Sequence, residues 1–247
     1  EVCGVPYIAF LAAGAVCFST MNSATFETLY SAFSRMQVQR TWEAILNAPV
    51  SLDDLLLGEL VWAASKACLS GAAILAVAAL LGLVHSPLAL WALPLIFLAG
   101  LAFAALGLVM TALAPSFDFF MYYFTLFVTP MTLLSGVFFP VEQLPAAFQA
   151  LSSLLPLSHA VKLTRPLFFG EVPAQAWLHV AVLAGYAFAA FWLALGLARR
   201  RLLRSVRVKS APMDALLVIT NLPDAETARV LAAKLVEQRV AACVNIL

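Results

Sequence analysis

Read only for apolar and polar positions, the chain alternates long hydrophobic runs with short polar ones. Residues 5–24 carry no charge. At 1.5 Å per residue, about 20 residues cross a hydrocarbon core of ~30 Å. Comparable runs occupy 59–85, 88–114, 119–139 and 176–198, and Lys66 is the only charge well inside them. The pattern predicts five membrane spans. Residues 25–49 are too polar to be a sixth. There Phe26, Leu29, Tyr30, Phe33 and Met36 follow the i, i+3, i+4, i+7 spacing of an amphipathic helix lying apart from the spans. Trp42, Ile45 and Leu46 continue the stripe beside Arg40 and Glu43, Pro49 ends it, and Ser51-x-x-Asp54 has the form of a capping box opening the next helix.

One stretch breaks the rhythm. Residues 135–170, SGVFFPVEQLPAAFQALSSLLPLSHAVKLTRPLFFG, hold Pro140, Pro145, Pro156 and Pro166 together with Glu142, Lys162 and Arg165. Proline removes a backbone donor and interrupts helix, and irregular backbone is not tolerated against lipid. This element is therefore expected to be two short helices, near 145–155 and 158–168, at one membrane face or dipping in behind protein.

Charge sets the expected topology. Arg35 and Arg40 lie in the first polar stretch, and Arg199, Arg200, Arg201, Arg204, Arg207 and Lys209 follow the last run. Basic flanks belong in the cytoplasm, and counting five crossings places both there. The 135–170 element and the first residue then fall outside, so a further span is expected upstream and the sequence reads as a fragment. Lys66, about two turns into its helix, is expected to snorkel to the inner surface.

Composition agrees: 64% of residues are hydrophobic and 11% charged, against about 25% charged in soluble domains. A net charge of +1 argues against a nucleic-acid partner. Cys3, Cys17, Cys68 and Cys243 lack metal-ligand spacing, and His85, His159 and His179 stand alone. No phosphate-binding GxxxxGK[ST] loop is present. Paired carboxylates of a proton-driven carrier are not apparent in the spans. These features suggest a transporter powered from outside this chain. An enzyme acting on lipid-linked sugars is the rival reading, for which Asp118, His85 and Glu142 are too scattered.

After Lys209 the pattern changes. DALLVIT (214–220) reads as a strand, Asp224 as the N-cap of a helix with Ala228, Leu231, Ala232 and Leu235 on one face, and 241–247 as a second strand. About 35 residues bury too little surface to close a core alone.

The 135–170 sequence resembles the type-2 ABC exporter permeases. VPYIAFLAAG and MNSATFETLYSAFSRMQVQRTWEAILNAPVSLDDLLLGELVWAASKA are similar to its NodJ branch, permeases for lipo-oligosaccharide export. The resemblance covers residues 1–208. It implies a mainly α, polytopic transmembrane helical bundle in the bacterial inner membrane, with re-entrant external helices. It also implies a homodimer in contact with membrane lipid and a separate, NodI-like ATPase subunit that carries ATP and magnesium. Arg35, Gln37, Gln39, Arg40, Thr41, Trp42 and Glu43 would couple to that ATPase, with Trp42 as the apolar anchor in its groove. Gly136, Pro140, Leu144, Pro145, Pro156, His159 and Arg165 would form the external gate. Phe120, Tyr122, Tyr123, Phe124 and Phe127 could line the path of an amphiphilic substrate, or simply pack. The tail MDALLVITNLPDAETARVLAAKLVEQRVAACVNIL resembles the start of a CutA divalent-cation-tolerance domain, implying a truncated α/β ferredoxin-like tail on the cytoplasmic side. Copper or another divalent metal would be its ligand, with Cys243 a weak candidate that reads more readily as core. Met213 opens the second resemblance, so the alternatives are a membrane-anchored metal-binding module or a join of two neighbouring genes.

Overall fold

The computed structural model describes residues 6–84, 86–209 and 225–237. Residues 1–205 and 206–247 form two compact units. All the elements described are helical.

The first span does not stop at residue 24. Helix α1, Tyr7–Phe26, starts after Pro6, whose carbonyl accepts from the amides of Ala9 and Phe10. It runs on through two π-helical stretches, Glu27–Ala32 and Ser34–Val38, so that Tyr7–Val38 is one rod. The expected separate amphipathic helix is therefore the end of this span. Its stripe is real on one side: Leu29, Phe33 and Met36 are buried, while Tyr30 stacks on Phe26 with centroids 5.4 Å apart. The wider turns lie where the helix Ala92–Leu113 approaches, and the Thr111 hydroxyl donates to the Thr28 carbonyl at 2.6 Å. Such π turns are common at functional sites.

Arg40, at φ +53°, turns the chain into the short helix α2, Thr41–Leu46. Helix α3, Leu52–Leu80, opens with the predicted capping box: Ser51 Oγ accepts from the Asp54 amide at 3.1 Å, and Asp54 accepts from the Ser51 amide. Helix α4, Ala92–Leu113, follows a 3₁₀ turn at Pro87–Trp91. Helices α5 (Asp118–Tyr123) and α6 (Thr129–Leu134) are joined by a π turn. By length and apolarity, Tyr7–Val38, Leu52–Leu80, Pro87–Leu113 and Ala176–Leu202 can each cross a membrane, whereas Asp118–Leu134 is shorter. The expected 119–139 span loses its last turn because Gly136 adopts φ +75° and residues 137–140 leave the helix.

Helices α7 (Ala146–Ser152) and α8 (Pro156–Phe168) fall where the prolines predict, with Pro145 at the first N-cap and Pro156 opening the second. Pro166 is the exception. It sits inside α8, close enough to the C-terminus that the helix loses one hydrogen bond rather than breaking. Helix α8 is buried along most of its length against α1 and α4. Helices α1, α3 and α4 pack together through small residues. A Cβ added at Gly107 would lie 2.0 Å from Thr28 Oγ1; such close approach is how helices associate where lipid supplies no hydrophobic drive. The aromatic run divides: Phe120 is fully buried on Phe33 and Tyr30, Tyr123 is buried, and Tyr122 and Phe127 are exposed. It is therefore not a single lined path.

Helix α9 is Ala176–Lys209, and α10, Ala225–Glu237, forms where the tail's periodicity predicts a helix. The predicted strands at 214–220 and 241–247, the Asp224 cap, Cys243, His85 and the ferredoxin-like fold lie outside the described residues.

Candidate functional site

The charged residues of the spans converge where α1, α2 and α3 meet. Glu27, 6% exposed, receives a donor on every available lone pair. Its Oε1 accepts from Trp62 Nε1 (3.0 Å) and Arg35 Nη2 (3.2 Å), its Oε2 from Lys66 Nζ (2.6 Å) and Ser31 Oγ (3.1 Å). Arg35 also forks onto Glu59, with Nε 2.9 Å from Oε1 and Nη2 on Oε2. Trp42 Nε1 completes the set, donating to Glu59 Oε1 at 3.0 Å. Two carboxylates and two cations thus cancel, and each carboxylate is held by charge-assisted hydrogen bonds. This saturation suits a mechanical joint rather than a proton relay.

Three expectations change here. Lys66 does not reach freely for a surface; it is paired with Glu27. Trp42 is 1% exposed and faces inward onto α3, so it cannot be an anchor in a partner's groove. Arg35 is consumed by Glu27 and Glu59. Sequence reasoning missed Glu27 because an amphipathic helix apart from the spans places it on a polar face rather than inside α1. Had α1 been extended, Glu27, Ser31 and Arg35 fall at i, i+4, i+8 on one face, opposite Glu59, Trp62 and Lys66 at i, i+3, i+7.

The arginines after the last run clamp the same end. Arg201 Nη1 donates to the carbonyls of Thr111 and Ala112 at 3.0 Å each, capping the C-terminus of α4 with positive charge. Its Nε and Nη2 reach the Gln37 amide oxygen at 3.1 and 2.7 Å, with that amide oriented to accept. Gln37 is therefore held inside this chain. Arg199 pairs with Asp53 at 2.6 Å. Of the predicted coupling residues, Gln39 and Arg40 stand exposed, and Thr41 and Glu43 are half-buried. Val38, Ile45 and Val50 are exposed beside them.

The other predicted group lies at the far end of α1. Phe10 and Arg35 are 25 positions apart, about 37 Å along a helix. Gly136 and Arg165 are brought together, Arg165 Nη2 donating to the Gly136 carbonyl at 2.6 Å while its guanidinium lies 3.6 Å over the Phe10 ring. Pro140 is buried beside them, Leu144 is half-buried and Pro145 is exposed. His159 is not alone. Its Nε2 donates to the Ser153 carbonyl at 3.0 Å, which leaves Nδ1 to accept from His179 Nδ1 at 2.7 Å. The pair joins α8 to α9, and both rings are buried.

Burial, and then the charge of Lys162, hold His159 below the ordinary imidazole range, against an upward pull from the Ser153 carbonyl. The unfolded chain therefore binds the proton more readily, and stability is fully present above about pH 6.5 and lost as pH falls through the lower folded value. Thermal unfolding of the purified chain should show a midpoint falling by several degrees between pH 7.5 and 5.5. In His159→Gln the same acidification should have markedly less effect; an equal fall in both would remove the pair as its cause.

Among the described residues, no three His, Cys, Asp or Glu side chains are grouped to hold a metal. Against known families, residues 3–169 match the ABC-2 type transporter model, and residues 216–247 match that of the CutA1 divalent ion tolerance protein. Nodulation protein J of Rhizobium leguminosarum bv. viciae is 53% identical over 204 residues, covering 83% of this chain and 79% of its own. Nodulation protein J of Rhizobium meliloti is 52% identical, over 82% of this chain and 78% of its own. The inner membrane transport permease YadH of Escherichia coli is 31% identical, over 75% and 73%.

Proposed function

Because the chain belongs to the ABC-2 type transporter family, we propose that it is the membrane permease subunit of an ATP-driven exporter, dimeric, in a bacterial inner membrane. ATP and magnesium would sit on a separate ATPase subunit. The cargo is a lipo-oligosaccharide, polysaccharide, lipid or drug-like amphiphile, a reading supported by the likeness to Nodulation protein J. Residues 25–58 and the arginines in the last turns of α9 then face the cytoplasm.

The observation that carries this reading is the Trp42–Glu59–Arg35–Glu27–Lys66 network. It fastens α2 to both α1 and α3, so a displacement of α2 moves two spans together. The outward residues Arg40, Ile45 and Val50 are left to meet the ATPase. In a co-purified complex, Ile45→Asp with Val50→Asp should weaken ATPase retention at least tenfold, because charge is placed in a desolvated contact. Retention and turnover equal to the parent would end the docking reading.

The tail is proposed to take no part in export, since the family matches at 3–169 and 216–247 do not overlap. Immunoblotting of the native locus with one tag in the exposed 47–50 turn and one after the tail tests this. Two bands would support it, and a single band carrying both tags would count against it.

A further inference from the structure

A cavity of about 340 Å³ lies beside Phe10, between the 135–142 turn and the end of α8. Lys162 and Arg165 line it from α8, Glu142 from the turn and Glu171 from beyond the helix. Phe10, Pro140 and Phe169 supply apolar wall. Two cations and two carboxylates therefore surround one chamber, as they do in the Glu27 network, but with the opposite outcome. There each carboxylate is paired, whereas among the described residues Glu142, Lys162 and Glu171 form no ion pair within 4.0 Å. Arg165 is held in place by the Phe10 ring and the Gly136 carbonyl, which fixes one edge of the chamber.

We propose that this cavity binds the zwitterionic headgroup of a phospholipid, its phosphate between Lys162 and Arg165 and its ammonium toward Glu142 and Glu171. A purely anionic headgroup would meet two carboxylates, and a purely cationic one two cations; only a ligand carrying both charges matches both pairs. The volume admits a headgroup and not a whole lipid, so the acyl chains stay outside, over the exposed apolar residues Tyr7 and Ile8 of α1. Convergent polar groups on an apolar wall are the usual make-up of a small-molecule site. The inference stands whether or not the chain exports an amphiphile.

The test is calorimetric titration of the detergent-purified full chain with dihexanoyl-phosphatidylethanolamine, with dihexanoyl-phosphatidylglycerol, and with inorganic phosphate plus ethanolamine. Saturable 1:1 binding of phosphatidylethanolamine, at least tenfold tighter than phosphatidylglycerol, is expected. Lys162→Gln should weaken both lipids about tenfold. Glu142→Gln with Glu171→Gln should weaken phosphatidylethanolamine alone and erase the preference. All three side chains are exposed, so these variants fold as the parent does. Three results would overturn the proposal: no saturable binding, equal affinity for the two lipids, or free phosphate binding as tightly as the lipid, which would leave only an anion site.

Discussion

Glu27→Gln is expected to cost the bundle about 3 kcal/mol, because removing one partner of a buried pair leaves an uncompensated charge. The amide keeps the size and loses the charge. Lys66 and one edge of Arg35 would then face a group that can accept only on one side, and Trp62 Nε1 would compete with them for it. The lower end of the usual 3–5 kcal/mol range applies because Lys66 is 47% exposed and water can take over part of its charge. In SDS titration of the chain in mixed micelles, the variant should unfold at distinctly lower detergent fraction. Glu27→Gln with Lys66→Met removes both charges and should recover more than half of the loss, since the surplus cation is gone. If the single variant unfolds with the parent, the network contributes nothing to stability. Export coupling, if carried by this joint, should fall with it and return with it.

The second large effect is expected at Gly14. A Cβ there would lie 2.6 Å from the Val137 carbonyl oxygen, a backbone atom that no side-chain rotation can move. Alanine must therefore push α1 away from the 135–140 turn, at a cost of about 1–3 kcal/mol, and a larger residue more. The displaced turn carries Gly136, whose carbonyl holds Arg165, so the Arg165–Phe10 contact should loosen as well. Gly58, with nothing within 4 Å of its added Cβ, is the control. Gly58→Ala in the interior of α3 should stabilise slightly, through helix propensity alone. Comparing unfolding midpoints of the two alanine variants decides it: equal midpoints would mean the close approach at Gly14 carries no load.

The parts of this structure that could be read from sequence are those whose cause is local. The capping box at Ser51 and Asp54 needs only three intervening positions, and the helix break between α7 and α8 follows from prolines inside that stretch. The run of α1 to Val38 was not legible, because Glu27 and Arg35 look prohibitive in an apolar helix until their partners are known. Those partners are 39 positions away for Glu27 and Lys66, and 24 for Arg35 and Glu59. The same distance hid the orientation of Trp42. An indole beside Arg40 and Glu43 reads as a surface anchor, and only the acceptor on Glu59 turns it inward. At the other end, only the family resemblance grouped Gly136, Pro140, His159 and Arg165, and His159 needed His179 from the next helix to acquire a partner.

Arg201 sets an order on assembly. The carbonyls it caps belong to Thr111 and Ala112, 90 and 89 positions earlier in the chain. A ribosome adding about 5–20 residues per second releases Arg201 roughly 5–20 s after the end of α4 has emerged. For that interval the C-terminus of α4 and Gln37 of α1 lack their clamp, although α1, α3 and α4 can already pack. The nascent bundle is thus open at one end until translation has nearly passed α9.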